Sequence, residues 1–436
     1  MPDYDIIIVG GRAAGSTLAA RLGKMGVRVL LLERAQFPSL PAASSPIIYS
    51  STMRLLDEIG AKESEYARNT PRIYEMFMDN DYFWTRIPIP DENGRNYAYA
   101  IDRARFDGAL WDNALRFPTV EGRFGASVSD LLWDEGRLCG VVSSGESITA
   151  DLVIGADGRF STVARKAGAQ LRDQYDEYPT TLLYAYWRGV QRYKNNAPTS
   201  VAYGSDQFGI GYLVMESADD STVIVIEGQS RLMDFPGGQS EQFYLDTVYK
   251  NPKIAERLQD AEMVTNVRGM RDVGNYYRTA GGAGWALVGD AYLQEDPLDG
   301  QGIYNAVYAA KKLAQAIAHY RSGRKMWLQA VEWYDDAVRA ETYYMYKTAI
   351  ERVRTNLYEQ PPAWVLQNLA RWLMEDERNV DYLGRILTRG GSPNAMLLMA
   401  APRMMGAVVR GGLRDLRNRV IERLPLANVL RGIVGE

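Results

Sequence analysis

Residues 284–305 read Gly284-Trp-Ala-Leu-Val-Gly289-Asp290-Ala-Tyr292-Leu-Gln-Glu295-Asp296-Pro297-Leu-Asp-Gly300-Gln301-Gly302-Ile-Tyr-Asn, a set of side chains able to bind a polyol and steady a developing negative charge. Trp285 to Val288 is a short apolar run that predicts a buried strand, and Asp290 follows it with a carboxylate that can accept from hydroxyls. Pro297-x-x-Gly300-x-Gly302 then leads into Ile303, Ala306, Val307, Ala310, Leu313, Ala314 and Ile317, which recur at helical spacing. A helix starting near Gly302 leaves its first backbone N–H groups open, and its dipole favours negative charge there. Glu295 and Asp296 lie between the two halves, with Tyr292 just before them. Beside a ring that becomes anionic, such carboxylates would bind a donor on a substrate or relay a proton; pointing outward, they would cap the next turn. The whole suits a ligand with a polyol arm and a ring that gains negative charge, as a reduced flavin does.

Two further clusters precede it. Tyr4 to Val9 is a continuous apolar run, followed by Gly10-Gly11-Arg12-Ala13-Ala14-Gly15 and a helical pattern with Ala14, Leu18, Leu22 and Met25 on one face. Val27 to Leu32 is a second strand, closed by Glu33 and Arg34. This is a dinucleotide-binding βαβ unit in its required context: Gly10 for the turn, Gly15 for close packing, Glu33 for a ribose hydroxyl. Arg12 stands where the middle glycine belongs, so its side chain must point away from a pyrophosphate or reach over the cofactor. Later, Asp151 to Gly155 predicts a strand, with Asp157-Gly158 as a turn and Asp157 as a capping residue for the helix after it.

In this order the three segments resemble the FAD-binding signatures of the para-hydroxybenzoate-hydroxylase-like flavoproteins, the last being Gly-Asp-Ala followed by Pro-x-x-Gly-x-Gly. That superfamily holds single-component aromatic hydroxylases, squalene-epoxidase-like enzymes, geranylgeranyl reductases and flavin-dependent halogenases. The resemblance reaches the helix after Gly302 and leaves the remainder unmatched. It implies FAD held by Gly10, Arg12, Ala13, Ala14, Gly15, Glu33, Arg34, Arg103, Asp157, Gly289, Asp290, Pro297, Gly300, Gln301 and Gly302. Arg103 is preferred to Arg105 because Phe106 follows it by three, as in the family's Arg-x-x-Phe/Leu-Asp order. Tyr292, Glu295 and Asp296 would border the reacting centre. The expected activity is FAD-dependent monooxygenation of a hydrophobic or aromatic small molecule with NAD(P)H and O2. The alternative is reduction of isoprenoid double bonds. Halogenation is less favoured, because Phe83-Trp-Thr-Arg-Ile-Pro88 keeps only the ending of Trp-x-Trp-x-Ile-Pro and lies in another part of the chain. A prenyl-protein escort without redox chemistry is disfavoured by the intact Asp290 and Pro-x-x-Gly-x-Gly.

The elements that position these residues predict an α/β fold with an α+β second domain: a Rossmann-like FAD-binding fold, an inserted antiparallel substrate sheet and a helical C-terminal extension. The expected FAD-binding domain is residues 1–70, 98–175 and 271–322. The substrate domain is 71–97 and 176–270, and the helical region is 323–436. Alternation in residues 71–90 suggests a small separate sheet, residues 125–150 a three-stranded meander, and residues 181–229 four strands. Tyr184 and Tyr186 alternate onto one face and Trp187 onto the other. At 436 residues, with 50 basic and 54 acidic side chains, the formal charge of −4 gives no support to nucleic-acid binding. One cysteine, Cys139, rules out an intrachain disulfide framework and reads as a small buried hydrophobe; with no leader-like or membrane-spanning run, a cytoplasmic protein is expected. The single histidine, His319, leaves no histidine triad and reads as a helix C-terminal cation. In the tail, Leu413, Leu416, Val420 and Leu424 share a face ringed by arginines, which suits packing on the domains, a subunit contact or a peripheral membrane contact. The oligomeric state is not legible.

Overall fold

Ile6, Ile7, Ile8 and Val9 are all buried, which explains an apolar run without alternation: their strand, Tyr4–Val9, is covered on both faces. The computed structural model describes residues 2–41, 45–194, 197–204, 208–390 and 393–423, with backbone alone at 393–400 and 421–423. The strand lies inside an eight-stranded sheet, parallel to Val29–Glu33 on one side and to Glu146–Gly155 on the other. Val120–Phe124 and Trp285–Leu287 extend the parallel order outward. Helix α1 (Ala13–Lys24) connects the first two strands and buries Ala14, Leu18 and Leu22, whereas Met25 lies at its C-cap and is exposed. Helices α2 (Ser50–Asp57), α3 (Glu63–Tyr66) and α4 (Arg103–Leu115) follow, and Asp102 caps α4 by accepting from the N–H groups of Ala104 and Arg105.

The meander differs from expectation in one respect. Glu146–Gly155 is a single strand: its first half pairs antiparallel with Arg137–Ser143 and its second half parallel with Tyr4–Val9. No turn residue separates Ala150 from Asp151, so the backbone stays extended through both. Cys139 is half-buried on Arg137–Ser143, with its thiol donating to the Leu132 carbonyl, rather than fully buried. Helix α5 (Thr162–Lys166) follows the Asp157 turn.

A second sheet of nine strands is antiparallel except at one pairing. Leu171–Arg188 is flanked by Arg268–Arg278 and Ser221–Gln229, and Ile210–Glu216, Thr199–Tyr203, Glu75–Asp79 and Trp84–Pro88 continue to the edge. Residues 75–88 therefore do not form a separate sheet: Glu75–Asp79 adds in parallel to Thr199–Tyr203, a partner far away in sequence. Leu171–Arg188 and Arg268–Arg278 both run across the expected domain edges. Their charged ends, such as Arg172-Asp-Gln-Tyr-Asp-Glu177, hide the strand pattern. Leu182, Tyr184 and Tyr186 face one apolar layer with Ile47 and Tyr49. Leu183, Ala185 and Trp187 face another, covered by α6 (Ser240–Lys250) and α7 (Pro252–Arg257). The alternation is as expected.

Beyond residue 300 the described residues are mostly helical. Helix α8 (Gly302–Arg321) packs on α1 and on α9 (Trp327–Val353), and π-helical turns at Arg354–Tyr358 and Val365–Ala370 lead to α10 (Arg371–Glu375). Helices α11 (Glu377–Leu387) and α12 (Pro393–Arg423) complete it, and among the described residues no helix is long and apolar enough to cross a membrane. His319 lies in the last turn of α8, its ring edge-on to Trp333.

Candidate functional site

Gly10 and Gly15 bring the start of α1 against the sheet. A Cβ on Gly15 would lie 1.8 Å from the Gly10 carbonyl oxygen, and one on Gly10 would lie 2.3 Å from that of Ala156. No side chain larger than hydrogen fits either place. Arg12 is the N-cap residue but makes no side-chain bond to the first turn, so the N–H groups of Ala13 and Ala14 stay available to an anion. Its guanidinium instead donates to Asp107 on α4 at 2.6 Å and to the carbonyl and hydroxyl of Ser39, each at 3.0 Å. Of the two directions open to it, the side chain turns toward α4 and the Phe37–Ser39 segment. Arg103 donates to the same Asp107, whose side chain is fully buried. Arg105 turns to Asp219 and Asp102 at the surface. Glu33 accepts from the N–H groups of Gly11 and Ala35, which presents its carboxylate at the strand end, while Arg34 is exposed.

The other two signatures meet this turn. Gly289, at φ +65°, approaches so closely that an added Cβ would lie 2.7 Å from that of Ala14. Asp290 is solvent-accessible although protein surrounds it on most sides, the position of a group lining a cleft. The surrounding protein raises its carboxyl pKa, and Arg103, Arg159 and Arg278 counter by favouring the anion. Asp157 accepts from the Ser161 hydroxyl and from the N–H groups of Thr162 and Val163, so its role here is the capping one; burial raises its pKa. Pro297 is half-buried, Gly300 is left-handed at φ +64°, and a Cβ on Gly302 would meet nothing within 4 Å. Gln301 caps α8 without bonding to its first turn, so this helix start is also open. Two uncapped helix N-termini, close-packed glycines and an accessible acid among arginines fit an FAD with its phosphates, ribityl chain and ring spread across them.

The segment between Asp290 and Pro297 turns inward. Leu293 and Gln294 pair with Tyr277 and Tyr276, which stitches it to the second sheet. Tyr292 is fully buried, its hydroxyl donating to Asp335 of α9 and its ring packed on Tyr277 and Tyr334; it belongs to the core under α9 rather than to a substrate surface. Glu295 and Asp296 are buried too, so the outward alternative does not hold. Asp296 does cap the next turn, accepting from Leu298 N–H at 3.0 Å, and also accepts from the Thr180 hydroxyl at 2.6 Å. It faces Glu227, whose pKa rises well above the usual carboxylate range through burial and the charge of Asp296, so Glu227 holds the proton between them. Glu295 accepts from the Asn305 side chain at 2.7 Å, and burial pushes its pKa up to about 8 although Arg389 lies nearby. Asp299 pairs with Arg352 at 2.7 Å.

Sequence reading missed Glu227, Asn305, Arg389 and Asp107 as members of this site. One signal was available: Glu227 is the one charged residue in the strand Ser221–Gln229 and follows the apolar run Val223–Ile226. Arg389 had none, since it lies 84 positions from its partner Asn305.

Fold and site define a flavoprotein, and residues 3–340 match the family described as FAD binding domain; the chain belongs to that family. Among known proteins it is 25% identical over 378 residues to a tryptophan 2-halogenase of Chondromyces crocatus, covering 84% of this chain and 70% of that one. It is 26% identical over 346 residues to digeranylgeranylglycerophospholipid reductase 2 of Methanococcoides burtonii, covering 77% and 80%. Its fold matches that of PqsL from Pseudomonas aeruginosa, described as a probable FAD-dependent monooxygenase, with a TM-score of 0.64, 20% identity and coverage of 82% and 97%.

Proposed function

We propose that this chain is an FAD-dependent monooxygenase that uses NAD(P)H and O2 on a hydrophobic or aromatic small molecule. The observation that carries the reading is the layer between the second sheet and the flavin signatures. Leu182, Tyr184, Tyr186, Met215 and Val225 stand there with Ile47, and a Cβ on Gly300 would lie 2.6 Å from Ile47. The layer is packed and buried, apolar and tyrosine-rich, with half-buried Leu40 and Leu213 at its margin, which supports a hydrophobic or aromatic substrate on this side.

FAD, when bound, supplies the redox chemistry. The chain's own part is to bind, orient and hold protons. The open starts of α1 and α8 receive negative charge, and Asp290 orients the polyol. Arg103, Arg159 and Arg278 provide a positive field at Asp290. Glu295 with its raised pKa is a neutral acid at pH 7, able to hold a proton without adding a negative charge beside the ring.

A second reading is favoured by the relatives' names, one a halogenase and one a reductase. One experiment separates the readings. The purified protein is reduced with NADPH or NADH, mixed with O2 and an aromatic or isoprenoid panel with and without halide, and the products are weighed by mass spectrometry. Gain of one oxygen atom supports the proposal. Gain of two hydrogens identifies a reductase, and exchange of hydrogen for halogen identifies a halogenase. Failure of both nicotinamides to bleach the flavin overturns the NAD(P)H assignment.

A further inference from the structure

Over residues 401–420 of α12, Ala407, Gly411 and Asp415 turn to the protein, and the exposed side carries an apolar stripe. Ala407 is fully buried, and a Cβ on Gly411 would lie 2.3 Å from the Trp372 ring. Asp415 accepts from the Trp372 indole N–H at 2.8 Å and from Arg371. Arg410 donates to Asp376 at 2.6 and 2.9 Å, and Arg414 reaches Glu375. These contacts fix how the helix is rolled about its axis.

On the outer side Met405, Val409, Leu413, Leu416 and Val420 recur at helical spacing and are 70, 60, 60, 58 and 53% exposed. The sequence grouped the last three as a face suited to packing on the domains, a subunit contact or a peripheral membrane contact; the structure leaves that face exposed. Arg417 and Arg419 flank the stripe and are exposed. Arg410 and Arg414 are paired with Asp376 and Glu375, so Arg417 and Arg419 are the positive charges at this face, in a chain whose formal charge is −4. Apolar surface and positive charge are thus concentrated together on one outward helix face.

We infer that this face of α12 docks on an anionic lipid bilayer, with the helix axis in the membrane plane, the stripe in the acyl boundary and Arg417 and Arg419 at the phosphates. The stripe extends about 22 Å at the usual rise per residue, long enough to lie flat on the surface with both flanks in contact. A bilayer satisfies both parts of the face, offering hydrocarbon to the stripe and phosphate to its margins. A second copy does not, because a two-fold pairing through the stripe would set the same arginine-rich flanks against each other. The inference is independent of the reaction class.

The test is co-sedimentation of the full-length, FAD-loaded protein with vesicles of phosphatidylcholine alone or mixed with phosphatidylserine. Binding is expected on the mixed vesicles, with much less on phosphatidylcholine alone, and is weakened by salt. Arg417→Glu and Arg419→Glu should each weaken it roughly fivefold or more. Leu413→Glu with Leu416→Glu should weaken it about tenfold or more. Flavin content and circular dichroism should stay those of the wild type, because all four side chains project into solvent. No vesicle binding by wild type, equal binding by the variants, or a dimer that Leu413→Glu dissociates would overturn the inference.

Discussion

Replacing Glu295 with glutamine tests the buried-acid site most directly. Glu295 is 9% exposed, one carboxyl oxygen accepts from Asn305, and burial raises its pKa from 4.5 to about 8. A carboxyl with a raised folded-state pKa binds its proton more tightly in the native protein than in the unfolded chain. Its stabilising contribution is complete below the unfolded pKa and is lost as pH rises through the folded one. Between those limits the slope approaches ~1.4 kcal/mol per pH unit. From about pH 5.5 to about pH 8.5 the loss integrates to about 2–4 kcal/mol, the range reflecting a folded pKa good to about one unit. Glutamine keeps the shape of the neutral acid and cannot ionise. Urea unfolding at several pH values should therefore show Glu295→Gln gaining on wild type by that amount across the interval, with the two nearly equal only below about pH 4. The difference between the proteins cancels the titration of Glu227 and Asp296 to first order. Curves parallel within about 0.5 kcal/mol would refute the assignment of a buried neutral acid.

Asp290→Ala should bind FAD about ten- to a hundredfold more weakly, the cost of one hydrogen bond to a charged group, read by flavin titration; unchanged affinity would remove Asp290 from the cofactor site. Gly15→Ala should yield no folded holoprotein, because its Cβ would lie 1.8 Å from the Gly10 oxygen, whereas Gly302→Ala, with open space around the added methyl, should fold normally and lose only FAD affinity. Arg12→Gly should lower the unfolding free energy by about 2 kcal/mol, since Asp107 then keeps Arg103 alone as its charge partner; chemical denaturation measures it.

What could be read without coordinates follows from which contacts are local. Gly10, Gly15 and Glu33 lie in one βαβ unit, so their spacing determines their geometry, and the same holds for Asp290 and Gly302 around one strand and one helix. Arg12 was legible as an anomaly but not in its direction, which depends on Asp107, 95 residues on. The inward turn of Glu295 and Asp296 was not legible. It follows from pairing of Leu293–Gln294 with a strand that sequence reading had passed over. The roll of α12 was not legible for a related reason: its apolar stripe suited packing, a subunit contact or a membrane alike, and Gly411 against Trp372 with a set of ion pairs decides which side faces inward.

The reach of Arg389 has a consequence for how the chain can be divided. From the end of α11 it donates to Gln301 at 2.9 Å, to the Glu341 carbonyl at 2.9 Å and to Asn305 at 3.3 Å, and its guanidinium lies over the Tyr304 ring. Its neighbour Thr388 donates to Glu92, which also holds Ser50 and Arg54. The family match ends at residue 340, but the start of α8 is secured from beyond it. The flavin-binding part is therefore not a portable module: a graft or truncation cut at the family boundary would leave Gln301, Asn305 and Glu92 without their clasp, and a chimera has to carry the chain at least through Arg389.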